Sequence, residues 1–166
     1  SLSFDQRFWK RTVDLLIAVP LTILLSPIMF LVAFAIKCCD GGPVFYRQVR
    51  CTKDNRKFSI LKFRSMIVDA EKSGEAVLAK EHDERITPVG RFLRAVRLDE
   101  LPQLFNVLSG DMSLVGPRPE RPEIIAEYQK EMPEFVFRTR VKAGVTGFAQ
   151  IYGKYTVSYT HLRAHE

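Results

Sequence analysis

The sequence is poor in the residues that build disulfide frameworks, zinc sites and histidine-dependent hydrolases. Its 166 residues include three cysteines and three histidines, and Cys38, Cys39 and Cys51 form no CxxC pair. Adjacent cysteines seldom bridge each other, and no histidine lies at ligand spacing, so we expect reduced thiols in a cytosolic setting and no zinc site. The chain also lacks internal repeats and low-complexity segments, which favours one domain with its own core.

Acidic residues are outnumbered by basic ones. The chain has 25 Lys and Arg against 19 Asp and Glu, which gives a net charge of +6 and a pI near 9.4. Such a balance predicts anionic partners: phosphates, nucleic acid or acidic lipid. Because no nucleic-acid-binding motif is recognisable, we do not expect nucleic acid among them.

Charged residues are absent from Leu15 to Ile36, a run long enough to span a bilayer. No small-residue cleavage site follows, so the run is not a signal peptide. Ser26-Pro27 stands at its middle, and a proline removes a donor and disfavours helix at the preceding residue. We therefore expect two half-helices, Leu15–Leu25 and Ile28–Ile36, each about 16 Å long or less, roughly half the hydrocarbon thickness.

Both flanks of this apolar run are positively charged. Positive residues mark the cytoplasmic side of a membrane, so a hairpin that enters and leaves by one face is favoured over a kinked span. The Ser26 hydroxyl is a candidate partner for the backbone groups freed at the break. A buried helix of a soluble core is the third possibility. The basic residues are Arg7, Lys10 and Arg11 before the run and Lys37, Arg47, Arg50 and Lys53 after it.

The remaining chain alternates short β and α patterns after the turn at Asp40-Gly41-Gly42-Pro43. β-Branched and aromatic residues predict a hairpin, and cap-like or amphipathic stretches predict helices. The predicted hairpin is Val44–Arg50 with Phe58–Met66 around Thr52–Lys57; the predicted helices are Asp69–Lys80, Thr87–Arg97 and Glu120–Glu131.

An adjacent carboxylate pair, Asp99-Glu100, precedes a proline that fits only the first turn of a helix. We therefore place the pair at a helix start, where it would complement the helix dipole. The expected apolar face is Leu101, Leu104, Phe105 and Leu108, and Ser109-Gly110 is expected to end the helix. Taken alone, the pair is typical of a helix cap, and its neighbourhood decides between capping and catalysis.

Several segments together resemble one family. They are Lys10-Arg11 with Asp14, Ser26-Pro27, Lys62-Phe63-Arg64-Ser65-Met66, Leu98-Asp99-Glu100-Leu101-Pro102-Gln103, Gly110 to Pro119 (GDMSLVGPRP) and Gly144-Val145-Thr146-Gly147. The chain closely resembles the bacterial sugar transferase family, the monotopic polyprenyl-phosphate phosphoglycosyl transferases. The resemblance runs from about Arg7 to Gly153.

This resemblance implies an enzyme that transfers a phosphosugar from a UDP-sugar to polyprenyl (undecaprenyl) phosphate and releases UMP. The products begin O-antigen, capsule, exopolysaccharide, lipopolysaccharide or protein glycans. It implies a mainly α fold with a small β-hairpin (α+β), in which a re-entrant membrane helix carries a compact cytosolic domain with amphipathic interfacial helices. The expected location is the cytoplasmic face of the bacterial inner membrane, on anionic phospholipid, and a homodimer is left open.

The family's site residues carry over onto matching positions. Asp99 is the implied nucleophile of a two-step reaction through a covalent phosphosugar, and Glu100, with Asp99, the implied Mg²⁺ ligand. Charge neutralisation is the main task at a pyrophosphate, and Arg94, Arg118 and Lys62 are the expected phosphate-binding residues. Ser26 and Pro27 are the implied membrane break. Arg91 and Arg97 are interpreted as surface or headgroup-contacting charge.

The resemblance divides the chain into a membrane hairpin (1–40), a cytosolic transferase domain (41–157) and a tail without family counterpart (158–166). Lacking a large N-terminal membrane region, the chain resembles a minimal catalytic form or a fragment of a longer member. The rival interpretation is a non-catalytic membrane-surface module that docks anionic lipids or glycan-assembly partners. That module explains the charge and the anchor but not the adjacent carboxylates near Pro117-Arg118-Pro119.

Overall fold

The computed structural model describes residues 3–68 and 83–147, and within them helices predominate over two small sheets. This confirms the predicted mainly α fold. In chain order the elements are α1 (Phe4–Asp40), β1 (Phe45–Cys51), β2 (Lys57–Phe63), α2 (Pro88–Ala95), α3 (Gln103–Ser109), β3 (Ser113–Val115), α4 (Pro122–Glu131) and β4 (Gly144–Thr146). Short 3₁₀ segments cover Lys53–Asn55, Leu98–Glu100 and Pro133–Arg140.

The expected division of the apolar run into two half-helices is wrong, because α1 is one helix that continues through Ser26 and Pro27. A proline within a helix leaves the carbonyl four residues earlier without its N–H donor, here that of Ile23. The Ser26 hydroxyl donates a hydrogen bond of 2.7 Å to this carbonyl. The predicted partner role of Ser26 is therefore confirmed.

One stripe of α1 packs on the rest of the protein. Asp14, Ala18, Met29, Val32 and Ile36 are buried and recur at helical spacing. The opposite face is apolar and exposed, and α1 is long and apolar enough to cross a membrane. Exposed apolar side chains within the uncharged run include Leu16, Ile23, Leu24, Phe30, Leu31 and Phe34.

The packed side of α1 contributes to two hydrophobic clusters. One contains Ala18, Phe58, Ile60, Val107 and Met112, and the other contains Met29, Val32, Ile36, Phe63 and Leu93. The helix therefore lies along the domain over much of its length and joins β2 to the helices that follow it.

Both ends of α1 are tied to the same domain by polar contacts. Near the N-terminal end, Arg11 donates hydrogen bonds of 2.6 and 2.8 Å to the carbonyls of Val107 and Leu108. These carbonyls lie in the last turn of α3, where intrahelical donors are missing. At the C-terminal end, Asp40 forms an ion pair with the buried Arg64, directly after β2.

The hairpin of β1 and β2 confirms the prediction, with Phe45 opposite Phe63 and Cys51 opposite Lys57. The Thr87 cap is also confirmed, because its hydroxyl accepts a hydrogen bond of 2.9 Å from the Gly90 N–H. The predicted helices from Thr87 and Glu120 correspond to α2 and α4, although α2 ends two residues before Arg97. The predicted helix 69–80 and the tail 158–166 lie outside the described residues.

The parallel pairing of β3 with β4 was not predicted. Ser113 lies opposite Gly144, and Val115 opposite Thr146. Glycine is required where the two segments meet, because a Cβ atom on Gly116 or Gly144 would overlap backbone atoms of the other segment. This close approach places the segment after β3 beside β4.

Candidate active site

Asp99 and Glu100 lie in the 3₁₀ turn Leu98–Glu100, immediately before α3 and not within its first turn. Pro102 caps α3 at its N-terminus, and Gly110, with φ +90°, ends it as predicted. Arg97 enters the turn in the left-handed conformation with φ +59°, which is uncommon for a residue other than glycine. Such backbone strain is concentrated at functional sites.

The predicted apolar face of α3 is partly wrong. Leu104 is buried, and Leu101 and Leu108 are partly buried, but Phe105 is 42% exposed. Val107 is fully buried in its place. Leu101 precedes α3, and the buried apolar residues of the helix itself are Leu104 and Val107.

Glu100 receives two cationic side chains on one oxygen. Lys62 Nζ lies 2.9 Å and Arg118 Nη2 lies 3.2 Å from Glu100 Oε1. Burial by itself would raise the pKa of Glu100, but Lys62 and Arg118 outweigh it and the pKa is lowered. Within the described part of the chain, Oε2 has no hydrogen-bond partner. Among the residues that the structure describes, one oxygen of Glu100 thus binds two cations and the other binds none.

Asp99 is electrostatically different from its neighbour. Burial raises its pKa, the charge of Lys62 opposes that rise, Glu100 adds to it and Arg94 opposes it. The net direction is upward, opposite to the expectation that a helix start favours the ionised form. Burial is therefore the largest influence on the pKa of Asp99.

Arg94 lies in the last turn of α2, close enough for its charge to act on Asp99. Its Nη1 atom is buried and has no hydrogen-bond partner among residues 3–68 and 83–147. Buried polar groups are nearly always paired, so an unpaired guanidinium donor beside a carboxylate indicates a place for an acceptor from a ligand.

A cavity of about 360 Å³ separates the carboxylate turn from α1. Its lining is mainly apolar, with Glu100 and Arg97 among the polar groups. The lining residues are Leu21, Leu25, Arg97, Glu100, Leu101, Leu104, Leu114, Val145 and Thr146. Ser26 and Pro27 follow Leu25 in α1 but are exposed, and neither lines this cavity.

The structure thus gathers Asp99, Glu100, Lys62, Arg94 and Arg118 around one turn. Among the described residues no group of three His, Cys, Asp or Glu side chains could hold a metal.

Sequence reasoning gave no site role to Arg50 or Arg138, which contact the segment that carries Arg118. Their guanidinium groups bind backbone carbonyls. Because every residue has a backbone carbonyl, the residue types in the sequence do not reveal these contacts. The only signal was the alternation of Arg138 and Arg140 with aromatic residues after Pro133.

Comparison with known proteins decides the family. The family model described as bacterial sugar transferase matches residues 5–165. The chain belongs to the bacterial sugar transferase family. The matched range includes every residue of the carboxylate turn and its three cations.

Several curated proteins are similar to this chain in sequence. The chain is 46% identical over 156 residues to the UDP-N-acetylgalactosamine-undecaprenyl-phosphate N-acetylgalactosaminephosphotransferase of Aeromonas hydrophila. It is 42% and 44% identical, over 152 and 144 residues, to UDP-glucose:undecaprenyl-phosphate glucose-1-phosphate transferases of Escherichia coli (strain K12) and Caulobacter vibrioides. These matches cover 94%, 92% and 87% of this chain but 37%, 32% and 54% of the relatives. The chain therefore spans about a third to a half of their length.

Proposed function

We propose that this family member transfers a phosphosugar from a UDP-sugar to polyprenyl (undecaprenyl) phosphate and releases UMP, as the first membrane step of glycan assembly. One observation carries the proposal: two adjacent carboxylates are surrounded by Lys62, Arg94 and Arg118 beside a cavity bordered by α1. The names of the relatives support the substrate classes, because they pair a UDP-sugar with undecaprenyl phosphate.

In the first step we propose that an Asp99 carboxylate oxygen attacks the phosphorus that bears the sugar. A new Asp99 O–P bond forms, the P–O bond to the uridine-linked phosphate breaks, and UMP leaves with that electron pair. Glu100 is less suited to this role, because Lys62 and Arg118 bind its Oε1 atom and lower its pKa, which makes its carboxylate the weaker nucleophile. Asp99 accepts no hydrogen bond from another described residue, so its oxygens are available.

In the second step a phosphate oxygen of the polyprenyl phosphate attacks the same phosphorus. The Asp99 O–P bond breaks, the carboxylate is regenerated, and the phosphosugar is joined to the lipid by a diphosphate bond. The reaction balances without an oxidant or a reductant, and Asp99 ends the cycle in its starting form.

The cations would neutralise charge that accumulates when an anionic nucleophile approaches an anionic phosphate. Arg94 contributes a buried Nη1 donor without a partner among the described residues. Arg118 has a planar fork suited to two phosphate oxygens, and Lys62 acts as a compact point charge. Each would stabilise the ligand more strongly in this partly buried turn than in water.

Magnesium fits the donor set of this turn. Mg²⁺ is commonly bound by one or two carboxylates together with substrate phosphates and water. Glu100 Oε2 has no partner among the described residues, and the Asp99 carboxylate accepts no hydrogen bond from another of them, so Glu100 and Asp99 would hold the ion. When bound, it would neutralise phosphate oxygens as a Lewis acid.

The cavity beside the turn suits the acceptor lipid. Leu21 and Leu25 of α1 offer an apolar wall, while Glu100 and Arg97 lie at the same cavity. A polyprenyl phosphate has the matching division into an apolar chain and an anionic head. We propose that the chain lies against α1 and that the phosphate is directed to Asp99.

We further propose that α1 is re-entrant and lies at the cytoplasmic face of the bacterial inner membrane. Its two ends contact one domain, through Arg11 at one end and Asp40 at the other. A crossing would have to place parts of that polar domain on both sides of the bilayer or inside it, at high cost. The exposed apolar face of α1 is the natural lipid contact.

A screen of UDP-sugars with undecaprenyl phosphate in nanodiscs tests the function. We expect Mg²⁺-dependent UMP release with at least one sugar, and none from Asp99→Asn. The rival membrane-surface module predicts lipid binding without UMP release for every donor, in the chain and in a longer version of it. It is not favoured, because docking to lipid gives no reason for a partly buried carboxylate pair with cations around it.

A further inference from the structure

The segment Pro117–Glu120, which carries Arg118, is held by hydrogen bonds from outside itself. Two of its residues are prolines and have no N–H, so it has few donors of its own. At one end, the Gly144 N–H donates a hydrogen bond of 2.9 Å to the Pro117 carbonyl. At the other end, the Cys51 N–H donates a hydrogen bond of 2.9 Å to the Glu120 carbonyl. These bonds connect the segment to β4 and β1.

The two central carbonyls of the segment, those of Arg118 and Pro119, are bound by arginine side chains. Arg138 Nη2 donates a hydrogen bond of 2.8 Å to the Arg118 carbonyl. Arg50 Nη1 donates one of 3.2 Å to the Pro119 carbonyl. All four consecutive carbonyls therefore have a donor, and the central two depend on side chains.

Glu120 lies between the two arginines. Its Oε2 atom is 3.5 Å from Arg50 Nη1, and its Oε1 atom is 3.9 Å from Arg138 Nη2. Burial lowers the pKa of both Arg50 and Arg138, and the charge of Glu120 opposes this effect. A single carboxylate thus makes it possible to keep two charged guanidinium groups beside the same short segment.

Each arginine is itself restrained. Arg50 Nε and Nη2 donate to Gln48 Oε1 at 3.0 and 2.6 Å. The Arg138 guanidinium lies 4.5 Å from the ring centroid of Phe135, in a cation–π contact. Groups fixed in this way are suited to holding a backbone segment in one position.

We infer that Arg138 and Arg50 are positioning residues for Arg118, because they bind the backbone of the segment that carries it. The Arg118 guanidinium reaches Glu100 Oε1 at 3.2 Å, while its own carbonyl is bound by Arg138. Loss of either bond leaves a carbonyl without its donor and lets the Arg118 side chain shift. Displacements of about 1 Å at a reacting centre can cost up to 100-fold in rate.

The kinetic test of this inference rests on the proposed function, so the experiment measures the two separately. Wild-type UMP release reports on the proposed function. Arg138→Met and Arg50→Met are expected to lower kcat about tenfold, with a smaller change in KM. Arg138→Lys, which keeps a donor, recovers most of the loss. Arg140→Met is the matched control, because Arg140 is exposed, lies two residues away and contacts the Phe137 ring instead of the segment.

A double-mutant cycle distinguishes positioning from general damage. If Arg138 acts through Arg118, Arg138→Met lowers kcat less than twofold in an Arg118→Met background. An equal tenfold loss in both backgrounds overturns the inference, as does a wild-type kcat in Arg138→Met. The same cycle on UDP binding by calorimetry needs no turnover, and there too independent losses contradict the inference. Melting temperatures identify variants that do not fold; if Arg138→Met is one of them, Arg50→Met takes its place in the cycle, with the same expected and contradicting results.

Discussion

Ser113 Oγ donates a hydrogen bond of 2.7 Å to Asp14 Oδ2, although 99 residues separate them in the chain. Asp14 belongs to α1 and Ser113 begins β3, the strand that leads into the Arg118 segment. The Leu114 N–H also donates to Asp14, at 3.1 Å. The buried Asp14 carboxylate thus connects α1 to the strand that leads into the candidate site.

Ser113→Ala should therefore destabilise the fold. It removes one donor from a carboxylate that is only 6% exposed, and a lost partner at a buried charged group costs about 1–3 kcal/mol. Denaturant unfolding in detergent measures the free-energy difference. Ser59→Ala is the control, because Ser59 is exposed on β2, and it should change stability little. Equal stability of the two variants would show that the Asp14 contact contributes nothing.

Asp99→Asn should be slightly more stable than wild type at neutral pH. Because burial raises the pKa of Asp99 in the folded state, ionisation of this group opposes folding. The stability deficit of wild type is present above the folded-state pKa and disappears as the pH falls below the unfolded-state pKa. Thermal unfolding of both proteins across an acidic pH series checks this. A difference that grows on acidification would contradict the direction of the shift.

Lys62→Met should reduce kcat about 10- to 100-fold and move the acidic limb of the pH–rate profile to higher pH. Lys62 lowers the pKa of both Glu100 and Asp99, so both values rise when its charge is removed. The size follows from loss of a charged hydrogen bond of about 1.5–3 kcal/mol. Lys57→Met, an exposed position on the same strand, should keep the wild-type profile.

Both ends of α1 should be accessible from one face of the membrane. Cys38 and Cys39 are exposed near its C-terminal end, and Asp5→Cys in a Cys38→Ser, Cys39→Ser background places a thiol near its start. Labelling with a membrane-impermeant maleimide in sealed vesicles of each orientation tests the arrangement. We expect the same orientation to expose both positions. Labelling from opposite faces would establish a membrane-crossing helix.

Local chemistry in the sequence was sufficient to predict several elements. The Thr87 hydroxyl caps α2, Gly110 ends α3, and alternating residues form the β1–β2 hairpin. Each of these depends on residues that are close in the chain. The carboxylate turn and its cations were found through family resemblance, since an Asp-Glu pair before a helix is also typical of a cap.

Other features could not be predicted because they depend on contacts between distant segments. The strands β3 and β4 have three residues each, too few to show the alternation of apolar and polar residues that predicts a strand. They also pair across almost 30 intervening positions. The helix α1 continues through Pro20 and Pro27, and its packing along the domain is not visible in the residue types that predicted a break. The upward pKa shift of Asp99 comes from burial, which depends on how the domain packs around the turn.

The central claim is that Asp99 carries the phosphosugar, and mass spectrometry tests it most directly. The chain, or a longer version of it, is incubated with UDP-sugar and Mg²⁺ but no acceptor, quenched rapidly and digested. We predict that the peptide containing Asp99 gains the mass of the phosphosugar, that undecaprenyl phosphate removes it, and that Asp99→Asn never acquires it. Steady UMP release by an active wild-type protein, with the adduct on another residue or on none, would contradict the account.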